Sequence, residues 1–316
     1  MTQYILRRLI ATVAVVFGVS ILIFSVVQLT PGDAARAQLP SNAPEEQVQE
    51  LRDAMGLEKP LPVQYGYWLR NALQGDFGRS YQHRIPAFGI VTDRFPNTVI
   101  LAASALVVSV VIGLGIGLIA GTRPNTPADR ISTMLGIAGA SVPAFWLGIM
   151  LLLIFSLKLR WFPAVGMYDV REGGGLVDLL HHLVLPTITA AAVPTAVIAR
   201  QVRSSVLEVM ALDYIRTARS KGLAERAVVI RHALRNVLPT FITIVALQAG
   251  YLLGGSLITE VVFSWPGMGQ QLYTSIGARD IPVIMTITVL VAIVFTSLNL
   301  LADLLQGVVD PRIRLT

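Results

Sequence analysis

Six stretches of the chain carry no Asp, Glu, Lys or Arg: residues 9–29, 98–122, 131–157, 183–199, 236–259 and 281–302. A helix needs roughly 20 apolar residues to cross a bilayer. The pattern therefore predicts six membrane-spanning helices. The fourth stretch is the shortest and contains Pro186 and Pro194, and its span is expected to run on through Arg200 toward Gln201. Proline is tolerated in a membrane helix because neighbours satisfy the freed carbonyls. The first stretch exceeds the apolar core of a cleaved signal peptide, and no small-x-small site follows it directly, so it reads as a retained span.

Two polar segments interrupt this pattern. Residues 30–97 form a small domain outside the membrane, opening on the turn Thr30-Pro31-Gly32-Asp33. A helix is expected over 44–55, with acidic residues early and Gly56 after its end. A second, over 62–73, puts Tyr65, Trp68 and Leu69 on one face, which should pack the domain onto the outer membrane surface. The other polar segment, 200–235, divides at Gly222. Leu207, Met210, Ala211, Tyr214 and Ala218 recur at helical spacing before it, and Val229, Ile230, Ala233, Leu234 and Val237 after it. Two amphipathic helices joined at a glycine fit this pattern. They could bind a protein partner or lie on anionic membrane lipid.

Composition agrees with the membrane reading: 54% of residues are apolar and 14% charged, about half the charged share of a soluble protein. With the N-terminus in the cytoplasm, fourteen Lys and Arg fall on inside pieces and four on the short outside loops, including Arg171. That asymmetry places both termini inside. The net charge of +6 is thus a matter of topology. No basic surface with aromatic platforms suggests nucleic acid. The chain has no cysteine, which excludes disulfides and thiolate metal sites.

Candidate chemistry is sparse. The lysines are Lys59, Lys158 and Lys221, none of which follows a glycine, so a phosphate-binding loop of the Gly-Lys-Ser/Thr kind is absent. The histidines form no H-E-x-x-H, and His181-His182 reads as an interfacial polar pair, since adjacent helical residues do not share a face. Polar residues within spans are candidates for a solute path. Gln248, Ser256 and Glu260 share one face of the fifth span, and Asn299 and Asp303 one face of the sixth. Helix–helix hydrogen bonds or, for the two acids, the water interface are the alternatives. Gly113, Gly117 and Gly121 repeat every four residues in the second span, the spacing of close helix packing. The segment F-S-W-P-G-M-G at 263–269 contains a Pro-Gly turn. Trp265 could anchor a helix end at the interface, or the hairpin could dip inward and present Trp265 and Met268 as part of an outer gate.

The order of several motifs adds a resemblance. D-Y-I-R-T-A-R-S-K-G-L at 213–223 and H-A-L-R-N at 232–236 are similar to the cytoplasmic loop of ABC-importer permeases, in the branch that takes up dipeptides, oligopeptides, glutathione and nickel. P-G-D at 31–33, G-L-E-K-P-L at 56–61, G-D-F-G-R-S at 75–80, P-A-F-W at 143–146, A-R-Q-V-R-S-S-V-L-E-V at 199–209, F-S-W-P-G-M-G and D-P-R-I-R at 310–314 extend the likeness along the whole chain. It resembles the first permease of such systems. The resemblance implies an all-α integral membrane protein of the type I importer fold in a bacterial inner membrane. Its first span lies in 1–29, an extracytoplasmic domain in 30–97, and a five-span core in 98–316. A coupling loop at 200–235 would dock on an ATPase through Asp213, Tyr214, Arg216, Thr217, Ala218, Arg219, Lys221 and Gly222. The implied partners are a second homologous permease, two cytoplasmic ATPase subunits that bind ATP and Mg, and an extracytoplasmic solute-binding protein. The wider importer motif reads E-A-A-x-x-x-G. Here Arg216 replaces its acidic residue, so no ion pair can rest on a glutamate there.

Two other classes remain in view. A secondary transporter would bury ionisable groups near mid-membrane, and no span carries a charge at mid-depth. A membrane enzyme would show a nucleophile with its base, or a metal-ligand set, within the spans, and none is visible. Among cargoes, di- and oligopeptides are preferred over glutathione and nickel chelates.

Overall fold

Apolar runs without charge have no competing use for their backbone groups and become long helices. The structure, a computed structural model, describes residues 2–29, 35–36, 39–40, 42–54, 57–169 and 174–309. The expected turn at 30–33, Gly56, Arg171 and the segment 310–314 lie outside the described residues. The long helices are α1 (Thr2–Leu29), α4 (Ala87–Thr122), α7 (Leu176–Met210), α9 (Glu225–Gly255) and α12 (Ile281–Val309). Between α1 and α4 lie α2 (Glu45–Ala54) and α3 (Leu61–Leu73), close to the expected bounds.

The third span departs from the expected straight helix. It is a pair, α5 (Pro127–Ser141) and α6 (Ala144–Lys158), bent by 99°. Val142 is extended, with φ −76 and ψ 123, because a residue before proline is driven from the helical region. α6 finishes in a π-helical stretch, Leu152–Lys158. The helix of the second span also starts early, at Ala87, about ten residues before the charge-free stretch. At about 1.5 Å per residue, the 36 residues of α4 outreach a hydrocarbon layer of about 30 Å. The fourth span begins at Leu176 and runs through both prolines to Met210, past the expected Gln201.

α8 (Asp213–Ser220) lies between α7 and α9. After α9 come α10 (Leu257–Val262) and α11 (Met268–Gly277). Taking the bent pair as one crossing gives six spans. Residues 123–126 and 211–224 then share one membrane face with the start of α1. Residues 57–86, 159–169 and 263–280 share the other. Contacts between distant segments agree: Arg8 pairs with Asp303 at 2.8 Å on the first face, and Gly166 N–H donates to the Phe263 carbonyl at 2.9 Å on the second.

The core is the seam between α4 and α7. Ile198, Val202 and Val206 of α7 are buried, and each sits opposite one glycine of α4. A Cβ at Gly113, Gly117 or Gly121 would lie 2.7–2.9 Å from them. The four-residue repeat therefore has a definite partner. Gly117→Val is expected to lower the thermal unfolding midpoint in detergent, with overpacking costing about 1–3 kcal/mol. Gly115→Ala, which meets nothing within 4 Å, should leave the midpoint unchanged and serves as the control.

The aromatic face of α3 packs on a membrane helix. Tyr65 meets Phe17 and Phe24 of α1 edge-on, with centroids at 6.0 and 5.4 Å, and its hydroxyl is 2.7 Å from Ser20 Oγ. These contacts fix α3 to the first span.

Candidate functional site

The loop between α7 and α9 is built by a helix stop, one short helix and a reversal. α7 ends at Met210, and Leu212 adopts an extended conformation before α8 begins. Ile215 and Ala218 of α8 turn inward onto Val228, with Val209 and Met210 beside them. This small core anchors α8, and its opposite side is free to meet solvent. The expected apolar stripe from Leu207 to Ala218 is therefore divided between two helices.

The reversal at Gly222 has φ +77. Gly222 N–H donates to the Arg219 carbonyl at 2.9 Å, and Leu223 N–H to the Ala218 carbonyl at 3.4 Å, the paired bonds of a Schellman ending. A left-handed residue at that position favours glycine.

The predicted docking residues divide by direction. Asp213 and Arg216 have side chains 95% and 81% exposed and approach each other only to 3.7 Å. With exposed Thr217 and Lys221 they form the outward face. Tyr214 is partly exposed, and its hydroxyl accepts from Asn236 Nδ2 at 2.8 Å, tying α8 to α9. Ala218 belongs to the inner face. Arg219 points across the turn and donates twice to Glu225, at 2.6 and 3.1 Å. Glu225 was not among the predicted residues: it stands six positions from Arg219 with a glycine between, and no helical spacing links them. An exposed pair of this kind adds little stability but fixes orientation by its two parallel bonds.

A second ion pair, also not visible in the sequence, braces this face. Asp129 is buried at the start of α5 and accepts from Arg203 Nε at 2.5 Å and Nη2 at 3.0 Å. Arg203 lies seven residues before the end of α7, so the brace holds the helix that leads into α8.

On the opposite face the candidate path residues behave differently from expectation. α9 ends at Gly255, so Gln248 and Glu260 do not lie on one continuous helix. Gln248 is half-buried and takes no part in the cluster around Glu260. Glu260 is fully buried. Its Oε1 accepts from Thr98 Oγ1 at 2.9 Å and Ser256 Oγ at 3.0 Å, and its Oε2 from the N–H groups of Gly269 and Gln270 at 2.7 and 3.1 Å. The carboxyl group thus satisfies the otherwise unpaired donors at the start of α11. Any side chain at Gly267 would collide with Glu260 Oε2.

Trp265 and Met268 are both buried within this chain. Trp265 packs with Leu101, Met167 and Leu183, and its indole N–H donates to the Asn97 carbonyl at 2.8 Å. Met268 packs with Ala87, Ile90, Val91, Val283 and Ile287. The apolar bulk expected at a gate or interface is used to close this chain's own core. The two histidines separate as expected: His181 Nε2 is 2.8 Å from the Trp161 carbonyl and His182 Nδ1 is 2.9 Å from Asp178 Oδ1. Asp303 is taken by Arg8.

Comparison with known proteins supports the same architecture. Residues 113–315 match the family described as binding-protein-dependent transport system inner membrane component, and residues 1–102 match the N-terminal part of such membrane components. The glutathione transport system permease protein GsiC of Escherichia coli (strain K12) is 38% identical over 314 residues, 99% of both chains. The protein of the same description from Shigella flexneri serotype 5b (strain 8401) has the same identity and coverage. In fold, the chain is similar to a protein in the inward-facing MetNI methionine ABC transporter, with TM-score 0.58 and 20% identity over 70% of this chain and 96% of that one. A charge-poor set of spanning helices, a short amphipathic helix set between two of them, and matches that run from residue 1 to residue 315 agree: the chain belongs to the binding-protein-dependent inner-membrane permeases of ABC importers.

Proposed function

We propose that this permease carries short peptides, among them glutathione-like peptides, and that it forms one half of the pathway beside a second, homologous permease. Permeases of this family work with ATPase and solute-binding partners. In this reading two cytoplasmic ATPase subunits bind ATP and Mg and grip the outward face of α8, and an extracytoplasmic binding protein delivers the peptide. The observation that carries the reading is the form of α8: one side is buried on α7 and α9, and the other offers Asp213, Arg216, Thr217 and Lys221 to solvent. A motor pushing on that side moves two spans directly. The preference for peptides rests on the 38% identity to a glutathione permease over nearly the whole chain.

Reconstitution with the co-purified partners in proteoliposomes tests the cargo. Labelled glutathione or dipeptides should accumulate when ATP is supplied, and accumulation of a nickel chelate alone would reject the peptide reading. Orientation follows from the excess of basic residues on the α8 face. A reporter fused after Thr316 is expected to be active only in the cytoplasm, and periplasmic activity would reverse the topology.

A further inference from the structure

A cavity of about 310 Å³ lies on the face opposite α8, where α1, α3, the loop after α3 and α12 meet. Its depth is set by the spans that line it. Val27 is two residues from the end of α1, and Pro282 is the second residue of α12. Both helices leave the hydrocarbon at this level, so the cavity lies among the lipid headgroups. Its volume is at the low end of the range for small-ligand sites, about 300–1,000 Å³, enough for a headgroup and too small for a whole lipid.

The lining is part apolar, with Phe24, Phe77 and Met285, and part polar. Gln28 of the lining donates to Gln64 at 3.0 Å, but other side-chain donors are unused among the described residues. The Trp68 indole nitrogen is buried and has no hydrogen-bond partner among the described residues, a costly condition for an N–H group. Arg79 makes no ion pair or hydrogen bond through its guanidinium among the described residues. Burial, and secondarily the charge of Asp280, push the Tyr81 hydroxyl up to about 12, so it stays protonated and able to donate. One acid is also present: Asp76 accepts from Gly78 N–H through Oδ1 at 2.9 Å and has its second oxygen to offer.

We propose that this cavity holds the headgroup of a zwitterionic phospholipid with a primary ammonium, the phosphate on Arg79 and the Trp68 N–H and the ammonium on Asp76. Arg79 and the indole supply the charged and neutral donors that a phosphate accepts. The carboxylate of Asp76 disfavours a purely anionic headgroup and suits an ammonium. The apolar wall receives the glycerol end, and the acyl chains remain in the bilayer. A lipid so placed joins the outer domain to the first and last spans.

Native mass spectrometry of the full chain, purified with its partners and delipidated, tests this directly. Dioleoylphosphatidylethanolamine, dioleoylphosphatidylglycerol and the soluble dipeptide alanyl-alanine are the probes. The wild type is expected to take up one phosphatidylethanolamine per chain in preference to phosphatidylglycerol. Trp68→Phe, which keeps the ring and removes the N–H, and Arg79→Gln should each weaken that uptake about tenfold, as loss of a hydrogen bond to a charged group implies. Asp76→Asn, which keeps an acceptor for Gly78, should erase the preference between the two lipids. Equal uptake by wild type and Trp68→Phe at an unchanged unfolding midpoint would overturn the proposal, even if Arg79→Gln failed to fold. Displacement of the lipid by alanyl-alanine would overturn it too and mark a peptide subsite.

Discussion

Gly222→Val is expected to leave ATP hydrolysis by the partner subunits running while uptake falls at least about tenfold. Gly222 sits at φ +77, and a Cβ there would meet nothing within 4 Å. The defect is therefore one of backbone and not of collision. A left-handed conformation costs an ordinary residue roughly 1–2 kcal/mol, about a factor of ten in a conformational equilibrium, and a β-branched residue bears it worst. The Schellman ending would open and Arg219 would lose its register with Glu225. Asparagine tolerates the left-handed region, so Gly222→Asn should retain more uptake than Gly222→Val. Paired measurements of hydrolysis and uptake in proteoliposomes decide the matter. Full uptake by Gly222→Val at normal levels would remove the turn from the coupling path.

The second large effect concerns assembly. Glu260→Ala takes the acceptor from two hydroxyls and two backbone N–H groups in a fully buried place. Each buried donor left without a partner costs about 1–3 kcal/mol, so the folded fraction recovered in mild detergent should drop severely. Glu260→Gln keeps one carbonyl oxygen and should fall between the two. Wild-type yield and unfolding midpoint for Glu260→Ala would show that the start of α11 needs no such cap.

These two sites differ in how legible they are in the sequence. α8 and its turn can be read from the chain because both signals are local: an apolar stripe at helical spacing and one glycine between polar neighbours. The role of Glu260 cannot, because its partners come from positions 98, 256, 269 and 270, which meet only when α4, α10 and α11 are packed together. The same distance hides Asp129 from Arg203, which are 74 residues apart. The break in the third span is hidden for another reason. Residues 131–157 have no charge, and a single proline in an apolar run is compatible with either a kinked span or two helices. The burial of Trp265 is hidden too, because an apolar residue beside a Pro-Gly turn is usually a surface feature. Here the turn folds inward, and the Asn97 carbonyl 168 residues away receives the indole.

The buried Asp280 bears on the order in which the protein can be completed. It lies at the junction of α11 and α12 and accepts from Ser80 Oγ and from the N–H groups of Tyr81 and Gln82, partners about 200 residues earlier in the chain. A ribosome adds roughly 5–20 residues per second, so the segment around Ser80 waits about 10–40 s after its own synthesis before Asp280 exists. During that interval its backbone donors face water or a membrane insertase. Until the last span is in place the second face of the permease stays unsealed, and a chain stopped before Asp280 leaves the donors around Ser80 without their acceptor.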